Sequence, residues 1–489
     1  MKNFSKVTSI LLLIALCAGL LSGCSGSAPT EAGSSPSAAV DTASAVKITL
    51  EGSTASVSGG GAAANGSVVT ISAAGEYAVS GKLDNGQIIV NTGDDAMKVT
   101  LILDNAEISC LDNPAIYVEK ANKLKLVLAD GSENVVTSGI EGAALDPNAS
   151  GAAIYSKDDL DIEGTGKLTV NGFINNGIAS KDDLKIQGGE VNVNAINNGL
   201  RGADSVQIED GLLVITAGND GIKSATIDKA GKGFVSVSGG EVSITSGGDG
   251  IDAATTLDIS GGKISSAATG NGEAASSKAI KAESGMTISG GEVFLSSVET
   301  AMKCSADLTV SGGSVSVISD SGKGISVDGS IDISGGTMQV DVFSDGILAV
   351  NTFTLSGGSI NIAAGEDGVQ AGKNINGFPS ETGSVEITGG ELMVSAGKRG
   401  IDAKIALNIS GGTVFALSGA KNAIDSGGSV QPCASFMFGG SAGSEVSFGN
   451  LAKLTAVRDF TSVLFSSPEL STGTDYHIVC GENALNITL

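Results

Sequence analysis

Tryptophan is absent from the 489 residues, histidine occurs once, proline 7 times, and aromatic residues of all kinds make up 3%. So few wide side chains give little material for broad aromatic stacking platforms. The lone histidine, His477, leaves a Ser-His-Asp nucleophile poorly supported, and its place near the C-terminus suits a structural role. Positive charge is scarce as well: 28 Lys and Arg face 53 Asp and Glu, a net charge of -25. Such a surface repels nucleic acid and bare anionic membranes and attracts divalent cations. No basic patch interleaved with aromatics occurs, so no nucleic-acid partner is expected. Cys110, Cys304, Cys433 and Cys480 lack the spacing of a zinc site. Cys433 and Cys480 could form a disulfide in an extracytoplasmic tail, and Cys304 reads as a small core residue.

What is abundant is glycine, 72 residues, set among short alternating runs of Val, Ile, Ser and Thr. A Gly/Ala-apolar-x-small motif recurs from Ile154 through Ile178, Leu200, Ile222, Ile251, Ile280 and Met302 to Ile325, Ile347, Val369, Ile401 and Ile424. The spacing is roughly 22 residues, with Gly-Gly following most anchors at a constant offset. In VSVSGGEVSIT, from Val235, alternation puts Val235, Val237, Val242 and Ile244 on one side and Ser and Thr on the other. One such unit cannot bury its apolar face alone, whereas stacked units share a continuous core. A leucine-rich repeat of similar period would need a Leu-rich consensus with a fixed Asn, and these units carry Ile and Val with Gly-Gly turns. The expected fold is all-β, a right-handed single-stranded parallel β-helix over 46–430 with a small C-terminal β cap over 431–489. Longer units, through TIDKAGKGF, SAATGNGEAASSK and KNINGFPSETG, place insertions that could wall a groove or cover an edge.

Ahead of the repeats, Lys2 and Lys6 precede an apolar run, Ile10 to Leu21, too short to span a membrane. Its end, Leu21-Ser22-Gly23-Cys24, resembles a bacterial lipoprotein signal, so 1–23 is expected to be removed and Cys24 lipidated. The following 24–45 is small and polar, as in a flexible tether. The expected location is extracytoplasmic, with membrane contact only through Cys24, and the chain is expected to act as a monomer.

IYSKDDLDI at Ile154 returns as IASKDDLKI at Ile178. In-register units would lay Asp158 and Asp159 over Asp182 and Asp183, with Asp204 extending the column. Two carboxylates about 5 Å apart repel by roughly 3 kcal/mol at an effective dielectric near 20, so a counter-charge is required. Calcium suits the spacing, because two Ca–O distances sum to about one strand separation of 4.8 Å. The alternative is pairing with Lys157 and Lys181 on a solvated edge. A second column, containing Asn198, Asp220 and Asp249, is open to both turn chemistry and metal ligation. Between the columns, the outward position after each anchor carries Arg201, Lys223, Lys281 and Lys303, a row able to engage an anionic polysaccharide. Were the chain a calcium-assisted lyase, Lys223 would be the candidate base, although a lysine base needs a lowered pKa. Paired carboxylates for hydrolysis are uninformative in so acidic a chain.

The run AIYSKDDLDI, GIASKDDLKIQGG, GLRGADSVQI and NDGIK resembles successive coils of bacterial cell-surface carbohydrate-binding β-helix proteins. VVTISAAGEYAVSGKLDNGQIIV near the start and SSPELSTGTDY near the end extend the resemblance over nearly the whole folded chain. It implies a right-handed parallel β-helix, similar in shape to pectate lyases, that binds calcium and plant-type polysaccharides such as polygalacturonate and cellulose. Two departures bear on the number of ions: Ala203 stands where the family pattern carries Lys, and Ala225-Thr226-Ile227-Asp228 replaces an acidic run.

Overall fold

The strand Glu241–Ser246 shows how one repeat folds. Val242, Ile244 and Ser246 point inward, and Glu241, Ser243 and Thr245 face solvent. Val242 lies beside Leu213 of the preceding repeat and Ile264 of the following one, in both cases in a parallel pair. The anchors behave alike: Leu200, Ile222, Ile251, Ile280, Met302, Ile325, Ile347, Val369 and Ile401 are consecutive partners in one parallel ladder. All are fully buried and belong to a single core cluster. A period-two strand that slipped by one residue would turn this entire set to solvent, so burial fixes the register.

The computed structural model describes residues 42–142, 151–270, 276–373, 381–420 and 430–489. The segment 1–23, Cys24, most of the tether, the anchor Ile424 and the middles of the SAATGNGEAASSK and KNINGFPSETG insertions lie outside the described residues. Everything described belongs to one unit, Ala39–Leu489. It is all β and mostly parallel, with no helix among the described residues. A 15-stranded sheet takes one strand from each repeat, and a 26-stranded sheet takes the others.

That the remaining strands form one sheet has a local cause. In Asp183–Ala195, Ser384–Ala396 and Ala406–Ser418 the chain passes through the Gly-Gly corner without leaving the strand, and Ser205–Ala217 does the same through Asp210-Gly211, with register shifts at Ile186/Gln187 and Gln187/Glu190. In other repeats the corner breaks the strand. The second glycine there has a positive φ, +77° at Gly262, and a Cβ at that position would stand 2.7 Å from the Gly239 carbonyl oxygen one repeat away. Stacked corners approach so closely that only glycine fits both the backbone conformation and the space.

The parallel pattern ends at Ala406–Ser418, against which Phe460–Ser466 pairs antiparallel. Glu445–Phe448, Ala452–Thr455, Asp475–Cys480 and Asn483–Thr488 form a separate four-stranded antiparallel sheet. A second core lies here, with Phe448 stacked on Phe465 at 4.0 Å between centroids and Phe415 edge-on to Phe465. His477 sits in this sheet, its Nδ1 2.6 Å from Asn486 Oδ1, a structural contact. No disulfide joins Cys433 to Cys480, the pairing that the sequence left open, and Cys304 is buried in the core as expected.

Candidate functional site

Two strand pairings bracket the Lys-Asp-Asp corner. Before it Ser156 faces Ser180 and Ser180 faces Gly202; after it Leu160 faces Leu184 and Leu184 faces Val206. Asp158, Asp182 and Asp204 therefore occupy one position in three successive repeats, and Asp159 and Asp183 the next. Backbone and hydroxyl contacts hold the stack: Asp204 N donates to the Asp182 carbonyl at 3.1 Å, and Ser180 Oγ donates to the Asp158 carbonyl at 2.7 Å. Asp159 Oδ1 accepts from Asp183 N at 3.3 Å, and Asp158 Oδ2 from Ala121 N at 2.8 Å. The crowding leaves a signature. Burial, and then repulsion from Asp204, Asp159, Asp158 and Asp183, raise the Asp182 carboxyl above its ordinary range. Burial likewise raises Asp159, against the lowering effect of its hydrogen bond from Asp183 N.

The cations near this column are not those anticipated. Lys157 lies 5.5 Å from the centroid of the Tyr117 ring, and the exposed Lys181 makes no ion pair among the described residues. Instead Lys232, from the TIDKAGKGF insertion, reaches Asp183 at 3.2 Å and Asp204 at 3.5 Å, with Lys229 3.9 Å from Asp204. Asp183 and Asp204 also accept from Ser205 Oγ at 2.7 Å and Thr226 Oγ1 at 2.8 Å. The Asp182 carboxylate has neither hydrogen bond nor ion pair among the described residues. A half-buried, unpartnered carboxylate among hard oxygen donors fits calcium by donor chemistry. No group of three or more His, Cys, Asp or Glu among the described residues is gathered into a finished metal cage.

The second column is a hydrogen-bonded ladder. Asn197 and Asn198 donate side-chain N–H groups to Asn175 and Asn176 at 2.6 and 2.9 Å. Asn198 Oδ1 accepts from Asp220 N, Asp220 Oδ1 from Asp249 N at 2.9 Å, and Asp249 Oδ1 from Lys278 N at 2.7 Å. Each side-chain oxygen thus satisfies the amide one repeat on, as buried polar groups require. Asn198, Asp220 and Asp249 each bond an amide of the next repeat through Oδ1, and Asp220 Oδ2 also pairs with Lys223 at 2.6 Å.

The outward positions form a single row on the 15-stranded sheet: Tyr117, Tyr155, Ala179, Arg201, Lys223, Asp252, Lys281 and Lys303 are consecutive partners. The four cations named from sequence do share a face. Three of them are internally paired: Lys223 with Asp220 and Asp252, both at 2.6 Å, Lys281 with Glu283 at 2.8 Å and Asp252 at 3.4 Å, and Lys303 with Asp328 at 2.6 Å. Arg201 alone of the four has no carboxylate partner among the described residues. For Lys223, burial would lower its pKa, but the two aspartates outweigh that and hold it above the usual lysine value. That direction is opposite to the lowered value that a lysine base would need.

Sequence reading missed the tyrosines. Tyr117 and Tyr155 stack with centroids 5.9 Å apart and planes 3° from parallel, beside a groove of about 430 Å³ that Asp112, Asn113 and Pro114 also line. Their signal was present, since each follows an anchor, Ile116 or Ile154, at the offset by which Arg201 follows Leu200. Counting aromatics hid two that fall in one row.

A carbohydrate-binding domain-containing protein of Acetivibrio thermocellus is 43% identical over 129 residues, 26% of this chain and 45% of the relative, so less than half of that protein's length is spanned. A solved structure described as the polysaccharide lyase-like protein from C. thermocellum, gadolinium derivative, aligns with 29% identity and a TM-score of 0.43, over 59% of this chain and 96% of that one. The family model described as carbohydrate-binding domain-containing protein matches residues 65–324 and 306–435, most of the described chain, and the protein belongs to that family.

Proposed function

We propose that the protein is a cell-surface lipoprotein that holds an acidic, polygalacturonate-like polysaccharide without cleaving it, on a right-handed parallel β-helix capped by 431–489. Family membership supports a carbohydrate ligand in general. One observation carries the acidic class: Arg201 has no carboxylate partner among the described residues and sits on the outward row, three residues from Asp204 in the acidic column. A guanidinium free of internal carboxylates is available for a planar, bidentate contact with a uronate carboxylate. Calcium on Asp158, Asp159 and Asp182 would supply charge for a further uronate oxygen, since these side chains provide hard ligands and Asp182 is not otherwise engaged. The paired Lys281 and Lys303 would border the track, and Lys223, locked between two aspartates, would keep its face of the sheet in shape. Lipidation at Cys24 would place the chain outside the membrane.

The test is calorimetry of the protein with polygalacturonate, in calcium and in chelator, with ultraviolet absorbance followed on the same samples. Calcium-dependent binding without an absorbance rise is expected. Accumulating unsaturated product would replace the binder with a lyase, and calcium-independent binding would remove the metal from the account.

A further inference from the structure

The insertion Thr226–Phe234 interrupts the repeat at the point where the acidic column ends. Its neck is closed: Thr226 N donates to the Ala203 carbonyl at 2.8 Å, and Gly233 N to the Asp204 carbonyl at 2.5 Å. Gly233 has φ +76°, and a Cβ there would meet the Thr226 carbonyl oxygen at 1.8 Å, so the two ends of the insertion can come together only with glycine in place. Closure of the neck sets Lys232 beside it, with its ammonium between Asp183 and Asp204 and its side chain only 35% exposed. Lys229, nearer the tip and 64% exposed, approaches Asp204 from the solvent side.

We propose that this insertion is a tethered counter-cation that competes with divalent cations for Asp183 and Asp204. An ammonium 3.2 and 3.5 Å from two carboxylates fills the position from which a metal ion would bridge them, and two positive charges cannot share it. A divalent ion engaging both aspartates must expel Lys232 into solvent, so calcium affinity at this end of the column is reduced by the cost of breaking both contacts. In exchange, the column end stays neutralised when calcium is scarce. The inference rests on the reading that the column accepts a divalent cation, and it adds that the chain carries its own replacement for one.

The test compares the full chain with Lys232→Gln, by calcium titration calorimetry and by thermal unfolding in chelator. Coupling of this kind commonly amounts to between about 5- and 150-fold in affinity, and a gain of roughly tenfold is expected for the variant. A lower melting temperature in chelator, restored by calcium, is expected alongside it. Calcium binding by the variant but not by the wild type would support the competition most directly. Equal or weaker calcium binding by the variant, with the wild type binding, would overturn the inference and leave the calcium reading standing. If neither binds calcium, both fall. A variant unchanged in chelator would show that Lys232 neutralises nothing.

Discussion

Asp182→Asn removes the carboxylate of the column that has no partner among the described residues, and its effect changes sign with calcium. Strand spacing sets neighbouring column positions about 4.8 Å apart. At that separation each like-charge pair costs between about 0.9 kcal/mol at the dielectric of water and about 3.5 kcal/mol at an effective value of 20. Asp182 is half-buried and Lys232 offsets part of the charge beside it, so the lower figure applies and a relief of about 1 kcal/mol is expected in chelator. Unfolding entropy near 2.1 cal/mol/K per residue over roughly 450 residues converts this to a rise of about 1 °C in Tm. With calcium the same carboxylate is a ligand. Calcium at about 100 times its Kd stabilises by about 2.7 kcal/mol, and a tenfold weaker site forfeits about 1.4 kcal/mol of that. Scanning calorimetry should find the variant slightly more stable than wild type in chelator and slightly less stable in saturating calcium. A variant less stable in chelator would mean that the column is not repulsive, and equal calcium responses would mean that Asp182 does not hold the ion.

Arg201→Ala should weaken polygalacturonate binding about tenfold in calorimetry and leave Tm within about 1 °C, because no carboxylate among the described residues loses a partner; a large fall in Tm would show that the residue is structural. Gly262→Ala should destabilise by at least about 1–3 kcal/mol, from strain at φ +77° and from the approach to the Gly239 carbonyl oxygen, and a neutral result in denaturant unfolding would refute the close packing of corners. Bonds from Lys281 and Ser305 hold Glu283 below the ordinary glutamate range, and a bond from Lys185 does the same for Glu209. Their contribution is fully present above the unfolded-state value and disappears as pH falls through the folded one, so Glu283→Gln should make the acid limb of a stability profile shallower; an unaltered limb would deny the linkage.

The core was legible because it is periodic. Ile222 and Ile251 each follow a glycine and Ile280 an alanine, and fully buried positions tolerate few alternatives, so the pattern reports the register directly. The same holds for Asp158, Asp182 and Asp204, whose alignment follows from that of Leu160, Leu184 and Val206. Electrostatic partners were not legible, because they come from outside the period. Lys232 meets Asp183 from 49 residues away through an insertion that breaks the repeat, and nothing in the spacing of either residue shows the contact. The lysines of the outward row looked available for the same reason. Lys223 neutralises Asp220 within its own repeat and Asp252 in the next, and the sequence alone does not show which cations are already taken.

The most direct test is a crystal structure of the protein with calcium and a short oligogalacturonate. The account predicts an ion on the Asp158 and Asp182 side chains and a sugar carboxylate against the Arg201 guanidinium, with the ligand running along the outward row. A sugar bound on the 26-stranded sheet, or an acidic column without an ion while the ligand is in place, would contradict it.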